Sequence, residues 1–322
     1  MSIRITGTGS YLPERVLSNE EISQNAPTSD AWVKKNLGIE TRRIADPSQT
    51  TSDLAYESAI LALKDAQIEA SDLDAIIVAT SSPDRISPST ACILQDKLKA
   101  YGVCAFDINA VCSGFIYGLT IANSMLSQDS FNKILVVGAE TYSRITDWSD
   151  RQCVYFGDGA GAVVVEKSNT GLFDFDLGAD GRGKEYFTVR GGGSEHPATS
   201  ESIKQKHHYF DMIGRKIFEF ATEALPVSID KVLRRNGITP GEVRIVLPHQ
   251  PNINILKKVS EDTNIPVEKV QICLDKIGNT AGASVPIALD WALKDKKISP
   301  GDIVLMTAVG SGMTWGTAIM RW

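Results

Sequence analysis

The two halves of this 322-residue chain repeat one another, and no other feature limits the fold so tightly. Thr51 to Ala66 has the apolar spacing of a helix, with Ala55, Ala59, Ala62 and Ala66 on one face, and the strand-like DAIIVAT comes after it. In the second half Ile213, Ile217, Phe220 and Ala224 have the same spacing, and the strand-like RIVLPHQ comes after them. From Ile68 onward the halves align without a gap: Ile68 with Ile238, Leu73 with Val243, Ile77 with Leu247. NKILVVGAE (132–140) resembles GDIVLMTAV (301–309), and AGAVVVE (160–166) resembles WGTAIMR (315–321). Short apolar runs separated by helical stretches imply buried sheets covered by helices. The expected fold class is α/β with internal duplication, one half over 1–170 and the other over 171–322. Thr188 to Tyr209, rich in glycine and polar residues, reads as a long surface loop.

Hydrophobic residues make up 43% of the chain, enough to fill two packed halves. A net charge of −6 with no basic, aromatic-interleaved cluster argues against nucleic acid. No apolar run reaches the roughly 20 residues of a membrane span, and the start, MSIRITGTGSYLP, has no apolar signal core. A cytoplasmic protein is expected. The five cysteines are scattered, odd in number and without CxxC spacing, which argues against a disulfide framework and against a zinc site.

Cys112 stands apart from the other four. It follows the apolar AFDINA and precedes SGFIYGLTIANSML, a buried-helix pattern, so the thiol should sit near a helix N-terminus. Unpaired N–H groups and the helix dipole there favour the thiolate and lower its pKa. In the second half GNTAGAS follows the strand-like VQICLD, and the duplication puts Asn279 where the first half has Cys112. His249, in LPHQPN, lies at the end of the strand that corresponds to DAIIVAT. Alone, a cysteine among apolar residues or a histidine after a strand is a core residue more often than a catalyst. Placed together at matching ends of a duplicated scaffold, Cys112, His249 and Asn279 are the candidate chemistry.

Read from TGTGSYLPERVLSNEE through AVCSGFIYGL, FGDGAGAVVVE, LPHQPN and GNTAGASVPIAL to TWGTAIMRW, the chain resembles the thiolase-fold condensing enzymes and, within them, the β-ketoacyl-acyl-carrier-protein synthase III family. The resemblance implies a layered αβαβα subunit, usually a homodimer. It further implies decarboxylative Claisen condensation of an acyl-CoA primer with malonyl-acyl-carrier protein, in fatty acid synthesis or a related specialised pathway. Acyl-CoA is then a substrate, with no separate cofactor and no metal. Cys112 would carry the acyl group, while His249 and Asn279 would stabilise the enolate. The backbone N–H groups of Cys112 and Ser311 would hold the acyl-transfer oxyanion, where losing one donor typically costs about 2.7 to 4 kcal/mol. The late VGSGM loop lacks the second cysteine that thiolase-type exchange requires, which favours decarboxylation.

By the same resemblance Trp32 and Arg151 would sandwich the adenine of coenzyme A. Ser87, inserted from a partner subunit, and Val309 would border the acyl pocket, both smaller than the residues common there. A primer longer or more polar than acetyl could then fit, unless neighbours such as Ile86 fill the space. Asn36 and Asn254 replace family arginines, and Glu219 replaces a basic residue, so charge complementarity to an acidic carrier protein is reduced, with Lys257 and Lys258 left to compensate.

Three other readings remain at this level. One is an acyltransferase of the same fold, moving the acyl group to a hydroxyl or amine. Another is a cysteine hydrolase, since Cys, His, Asn in that order also describes papain-like proteases, although the signature C-G-x-C-W and the early cysteine are missing. The last is a silent member that only binds coenzyme A.

Overall fold

The computed structural model describes residues 2–168 and 173–322, so the boundary expected between 170 and 171 lies outside the described residues. The first half runs β1 (Ser2–Tyr11), β2 (Arg15–Ser18), α1 (Asn19–Ser23), α2 (Asp30–Leu37), β3 (Thr41–Ile44), α3 (Thr51–Ala66), β4 (Ala75–Ala79), α4 (Thr90–Lys97), β5 (Cys104–Ile108), α5 (Gly114–Leu126), β6 (Lys133–Glu140) and β7 (Gly159–Ser168). The second half runs β8 (Phe173–Ala179), β9 (Phe187–Val189), α6 (Ser200–Lys204), β10 (Phe210–Met212), α7 (Gly214–Arg235), β11 (Val243–Pro248), α8 (Ile253–Thr263), α9 (Leu274–Ile277), α10 (Ser284–Lys294), β12 (Ile303–Gly310) and β13 (Thr314–Arg321).

One sheet has the order β1-β7-β6-β4-β5 and the other β11-β12-β13-β8. Read from the opposite edge, the second repeats the first, with Val270 bridging Val246 where β5 would stand. α5 and α10 lie between the sheets, and one continuous core joins both helices to the inner faces of both sheets. A second core packs α3 and α4 on the outside of the first sheet, and a third packs α7 and α8 on the outside of the second. The layers are αβαβα, as expected. No helix among the described residues is long and apolar enough to cross a membrane.

α3 has the expected bounds, capped by Thr50 and Asp53, and buries Ala55, Ala59 and Ala62. The matching helix is longer and its register differs from the expected one. α7 buries Leu225, Ile229 and Val232, the residues that the alignment from Ile68 onward carries back to Ala55, Ala59 and Ala62, whereas Ile213 lies before the helix and is 48% exposed. The apolar spacing from Ile213 to Ala224 reflects the extra first turns of α7, where Gly214 and Ile217 line a cavity. Ladder register gives the same result for the strands. Ala75 pairs with Ile134 and Ile245 with Val304, so Lys133–Glu140 matches Ile303–Gly310, one residue away from the expected alignment. Both strands are buried on both faces, so no polar alternation marks their register.

The expected loop from Thr188 to Tyr209 is mostly exposed, but it begins in β9, contains α6 and leads into β10, which pairs with β9.

Candidate active site

The turn before α5 explains how the chain presents its cysteine. Val111, Cys112 and Ser113 form a single 3-10 turn, and Val111 adopts a left-handed φ of 49°, strained for a β-branched residue. The turn before α10 copies it, with Ala281 at φ 43°. In each copy an asparagine two residues upstream accepts a backbone N–H: Asn109 from Val111 at 3.3 Å, Asn279 from Ala281 at 2.8 Å. The counterpart of Asn279 is therefore Asn109, and that of Cys112 is Gly282. This corrects the expected pairing of Asn279 with Cys112. The run of small residues in NTAGAS contains nothing that separates these alignments until the turns are formed.

One cavity of about 630 Å³ of empty space, its open mouth included, is lined by Cys112, His249, Asn279, Val309 and Ser311. The expected triad and the expected oxyanion loop thus meet, although they come from four separate turns. Gly310 makes this approach possible: a Cβ there would lie 2.6 Å from the Ala110 carbonyl oxygen and 3.0 Å from the Cys112 nitrogen. The opposite wall is aromatic. Phe156 packs at 4.9 Å from Phe210 and 4.7 Å from Tyr142, and Phe187 at 5.4 Å from Phe210.

Hydrogen bonds orient each polar group. Asn279 uses its side-chain oxygen on Ala281, which leaves its NH₂ for the cavity. Its backbone is clamped by Tyr155 and Gly157, at 2.9 and 3.0 Å. His249 Nδ1 lies 3.2 Å from Ser284 Oγ, which in turn lies 3.1 Å from Thr280 Oγ1. With Nδ1 turned to the Ser284 hydroxyl, Nε2 is the ring nitrogen left for the cavity. Burial lowers the His249 pKa to about 3, so the imidazole is neutral at neutral pH. It stands in the cavity as a neutral ring and not a cation.

The thiol departs from expectation. Burial first, and then the Glu140 carboxylate, push the Cys112 pKa well above its ordinary range, in place of the lowering expected from a helix end. Cys112 belongs to the 3-10 turn ahead of α5, and desolvation of the buried sulfur outweighs the local N–H groups. Glu140 was not singled out from the sequence. It is fully buried at the end of β6, accepts hydrogen bonds from Thr80, Ser81 and Ser82, and is itself raised by burial to about 7. A lone glutamate closing an apolar strand was its only sequence signal. Tyr142, whose hydroxyl meets Ser81 at 2.7 Å, completes the cluster.

Trp32 and Arg151 do meet: the guanidinium carbon lies 4.1 Å from the indole centroid. They are in direct contact, so a ring entering between them must part them. Ser87 is exposed and lies outside the cavity of its own chain. Val309 lines this cavity and also borders an adjoining apolar cleft between α7 and α8. Asn36 and Asn254 join each other, Asn254 Nδ2 donating to the Asn36 carbonyl oxygen at 2.7 Å. Glu219 is occupied by Arg215 and Lys216 on its own helix, and Lys258 by Asp262.

Comparison with known proteins decides the family. The profile of 3-oxoacyl-[acyl-carrier-protein] synthase III matches residues 106–181, and the profile of its C-terminal part matches 233–322. A beta-ketoacyl-[acyl-carrier-protein] synthase III from Caldanaerobacter subterraneus subsp. tengcongensis is 47% identical over 321 residues, 99% of this chain and 97% of the relative. The chain belongs to the 3-oxoacyl-acyl-carrier-protein synthase III family. A synthase III from Syntrophomonas wolfei is 44% identical, covering 100% of this chain and 98% of its own. The crystal structure of the Aquifex aeolicus synthase III matches with a TM-score of 0.91 at 42% identity, covering 99% of this chain and all of that one. The synthase III fold and the duplicated architecture read from the sequence agree.

Proposed function

We propose that this condensing enzyme, an acyltransferase, joins an acyl-CoA primer to malonyl-acyl-carrier protein, releasing carbon dioxide and giving a 3-oxoacyl thioester for fatty acid or related synthesis. The observation that carries the reading is the meeting of Cys112, His249, Asn279 and Ser311 in one cavity within a synthase III chain.

In the first step the Cys112 sulfur attacks the primer carbonyl and its proton leaves with coenzyme A. Because burial holds the thiol protonated, proton loss accompanies carbon–sulfur bond formation. The backbone N–H groups of Cys112 and Ser311 face the oxyanion. In the second step the carbon–carboxylate bond of malonyl breaks. Its electrons move onto the thioester oxygen, which the His249 Nε2–H and the Asn279 NH₂ receive. The resulting carbanion attacks the acyl group, and Cys112 leaves as the thiol once protonated. A neutral histidine suits this role, since a donor is needed and a nearby cation would bind the malonyl carboxylate that must depart. The chemistry so written calls on no cofactor and no metal.

Trp32 and Arg151 part to hold the adenine, and the smaller Val309 leaves room for a primer beyond acetyl. A homodimer forms across β5, the outer strand of the first sheet, beside the exposed Ile86 and Tyr101, and brings Ser87 of one copy to the other's acyl pocket. The enzyme is cytoplasmic.

The test is intact-protein mass spectrometry after incubation with acyl-CoAs from acetyl to octanoyl, followed by malonyl-carrier protein and capture of carbon dioxide. A mass gain absent from Cys112→Ala, with carbon dioxide released, is expected. Labelling that persists in Cys112→Ala would overturn the nucleophile, and acyl loss to a hydroxyl or amine without carbon dioxide would replace condensation with simple acyl transfer.

A further inference from the structure

Arg42, on β3, is the largest side chain among the described residues that is fully buried, and its surroundings are apolar. No carboxylate pairs with it among the described residues. Its guanidinium donates to the Leu17 carbonyl at 3.3 Å and to the Val154 carbonyl at 2.8 Å, and its Nε has no partner. Burial of the charge lowers its pKa to about 10. Replacing a buried charge of this kind with a well-packed apolar side chain is often neutral or stabilising. Stability alone is a poor reason for an arginine here.

Its contacts suggest a better one. Leu17 lies in β2, and α2, which carries Trp32, lies between β2 and β3. Val154 ends the short turn that begins at Arg151. The two hydrogen bonds of Arg42 thus tie β2, which shares one core with α1 and α2, to the turn that begins at Arg151, and Trp32 and Arg151 meet across that junction. Its stem runs between Gly157 and Gly278, whose Cβ positions would lie 2.9 and 3.3 Å from the Arg42 Cβ. Gly278 precedes Asn279, and Gly157 pairs with it, donating its N–H to the Asn279 carbonyl at 3.0 Å. The guanidinium fork therefore joins β2 to the Arg151 turn, while the Arg42 stem is fixed by the close backbone of Gly157 and Gly278. Two N–H groups held at a fixed spacing on a planar cation set the separation of those two carbonyls, which the single nitrogen of an ammonium does not.

We propose that Arg42 is a positioning residue for nucleotide recognition, holding Trp32 and Arg151 at the separation from which they open to take the adenine of the primer's coenzyme A. This rests on the coenzyme A reading of Trp32 and Arg151. The test compares two thioesters of the same acyl group on the full chain, one of coenzyme A and one of N-acetylcysteamine, which lacks the nucleotide. Arg42→Met should raise KM for the coenzyme A thioester tenfold or more and leave kcat/KM for the N-acetylcysteamine thioester within about twofold. In a Trp32→Ala background the same substitution should add nothing. Arg42→Lys, which keeps the charge and loses the fork, should reproduce the KM effect and serves if the methionine variant does not fold.

Equal losses on both thioesters would overturn the proposal in favour of a general scaffold role, and so would no change on either. A Trp32→Ala variant with unchanged coenzyme A KM would overturn the adenine reading itself, a result separable from any effect at Arg42.

Discussion

The side-chain oxygen of Asn279 accepts the Ala281 N–H at 2.8 Å, and this one bond decides which end of the amide faces the nucleophile. The oxygen is spent on the turn and the NH₂ is presented to the cavity. The same bond in the other half, from Val111 to Asn109, serves only to shape the turn that carries Cys112. Duplication thus supplied one turn geometry and two uses.

Asn279→Asp keeps the acceptor that shapes the turn and removes the donor. Acylation of Cys112 should persist, while carbon dioxide release from malonyl-carrier protein falls by about 10² to 10³, the usual consequence of losing one aimed donor. Single-turnover acylation and decarboxylation rates measured side by side check this. Parallel loss of both would mean that the asparagine only supports the fold.

The pH behaviour follows from His249. Its folded pKa, about 3, lies below the ordinary 6.5, so between those values the unfolded chain binds the extra proton. Stability contributed by the neutral, buried imidazole is fully present above about 6.5 and is lost as pH falls toward 3. Urea midpoints of the wild type should therefore drop more steeply from neutral to acid pH than those of His249→Asn. Over the same range the decarboxylation rate should show no break near 6.5, since the donor is already neutral. A break there that persists in Glu140→Gln, which removes the other site group titrating near 7, would place a protonated histidine in the mechanism.

Gly310 admits no side chain. In Gly310→Ala the added Cβ meets the Ala110 carbonyl and the Cys112 nitrogen at 2.6 and 3.0 Å. Displacing the nucleophile turn by a fraction of an ångström to 1 Å should slow acylation by about 10². Circular dichroism should show the fold retained. Unimpaired acylation would show that the turn can yield.

Asn254 donates to the Asn36 carbonyl, so neither residue places a positive charge at this surface. Asn254→Arg should tighten binding of an acidic carrier protein several-fold at low ionic strength, with the gain disappearing at high salt. Titration of the carrier protein at two salt concentrations measures this. A gain that survives high salt would point to a contact other than charge.

The residues of the site could be named from the sequence because their neighbours repeat. His249 follows β11, whose apolar run matches that of β4, and such runs are legible without coordinates; Cys112 follows β5, whose counterpart in the second half is a single bridge at Val270. The layered class was legible for the same reason. Local pattern could not supply register. β6 and β12 are buried on both faces, so a one-residue slip changes nothing visible in their composition, and the true alignment emerges only from the ladders. The small residues of NTAGAS were equally silent, and it took the positive φ of Val111 and Ala281 to show that Cys112 answers to Gly282.

Ionisation states belong to the tertiary structure altogether. A helix end nearby suggested a lowered thiol pKa, but desolvation is set by what packs around the sulfur, and Glu140 reaches it from β6, a strand distant in the chain. Arg42 makes the same point: nothing in TRRI distinguishes the buried arginine from the one beside it, and only the closing of two glycine segments over its stem makes it the buried one. Chain composition and periodicity determined what could be buried and where chemistry could stand. Distances between segments far apart in sequence decided which groups were desolvated, which way the amide turned and which strands lined up, because those energies depend on neighbours that no local window contains.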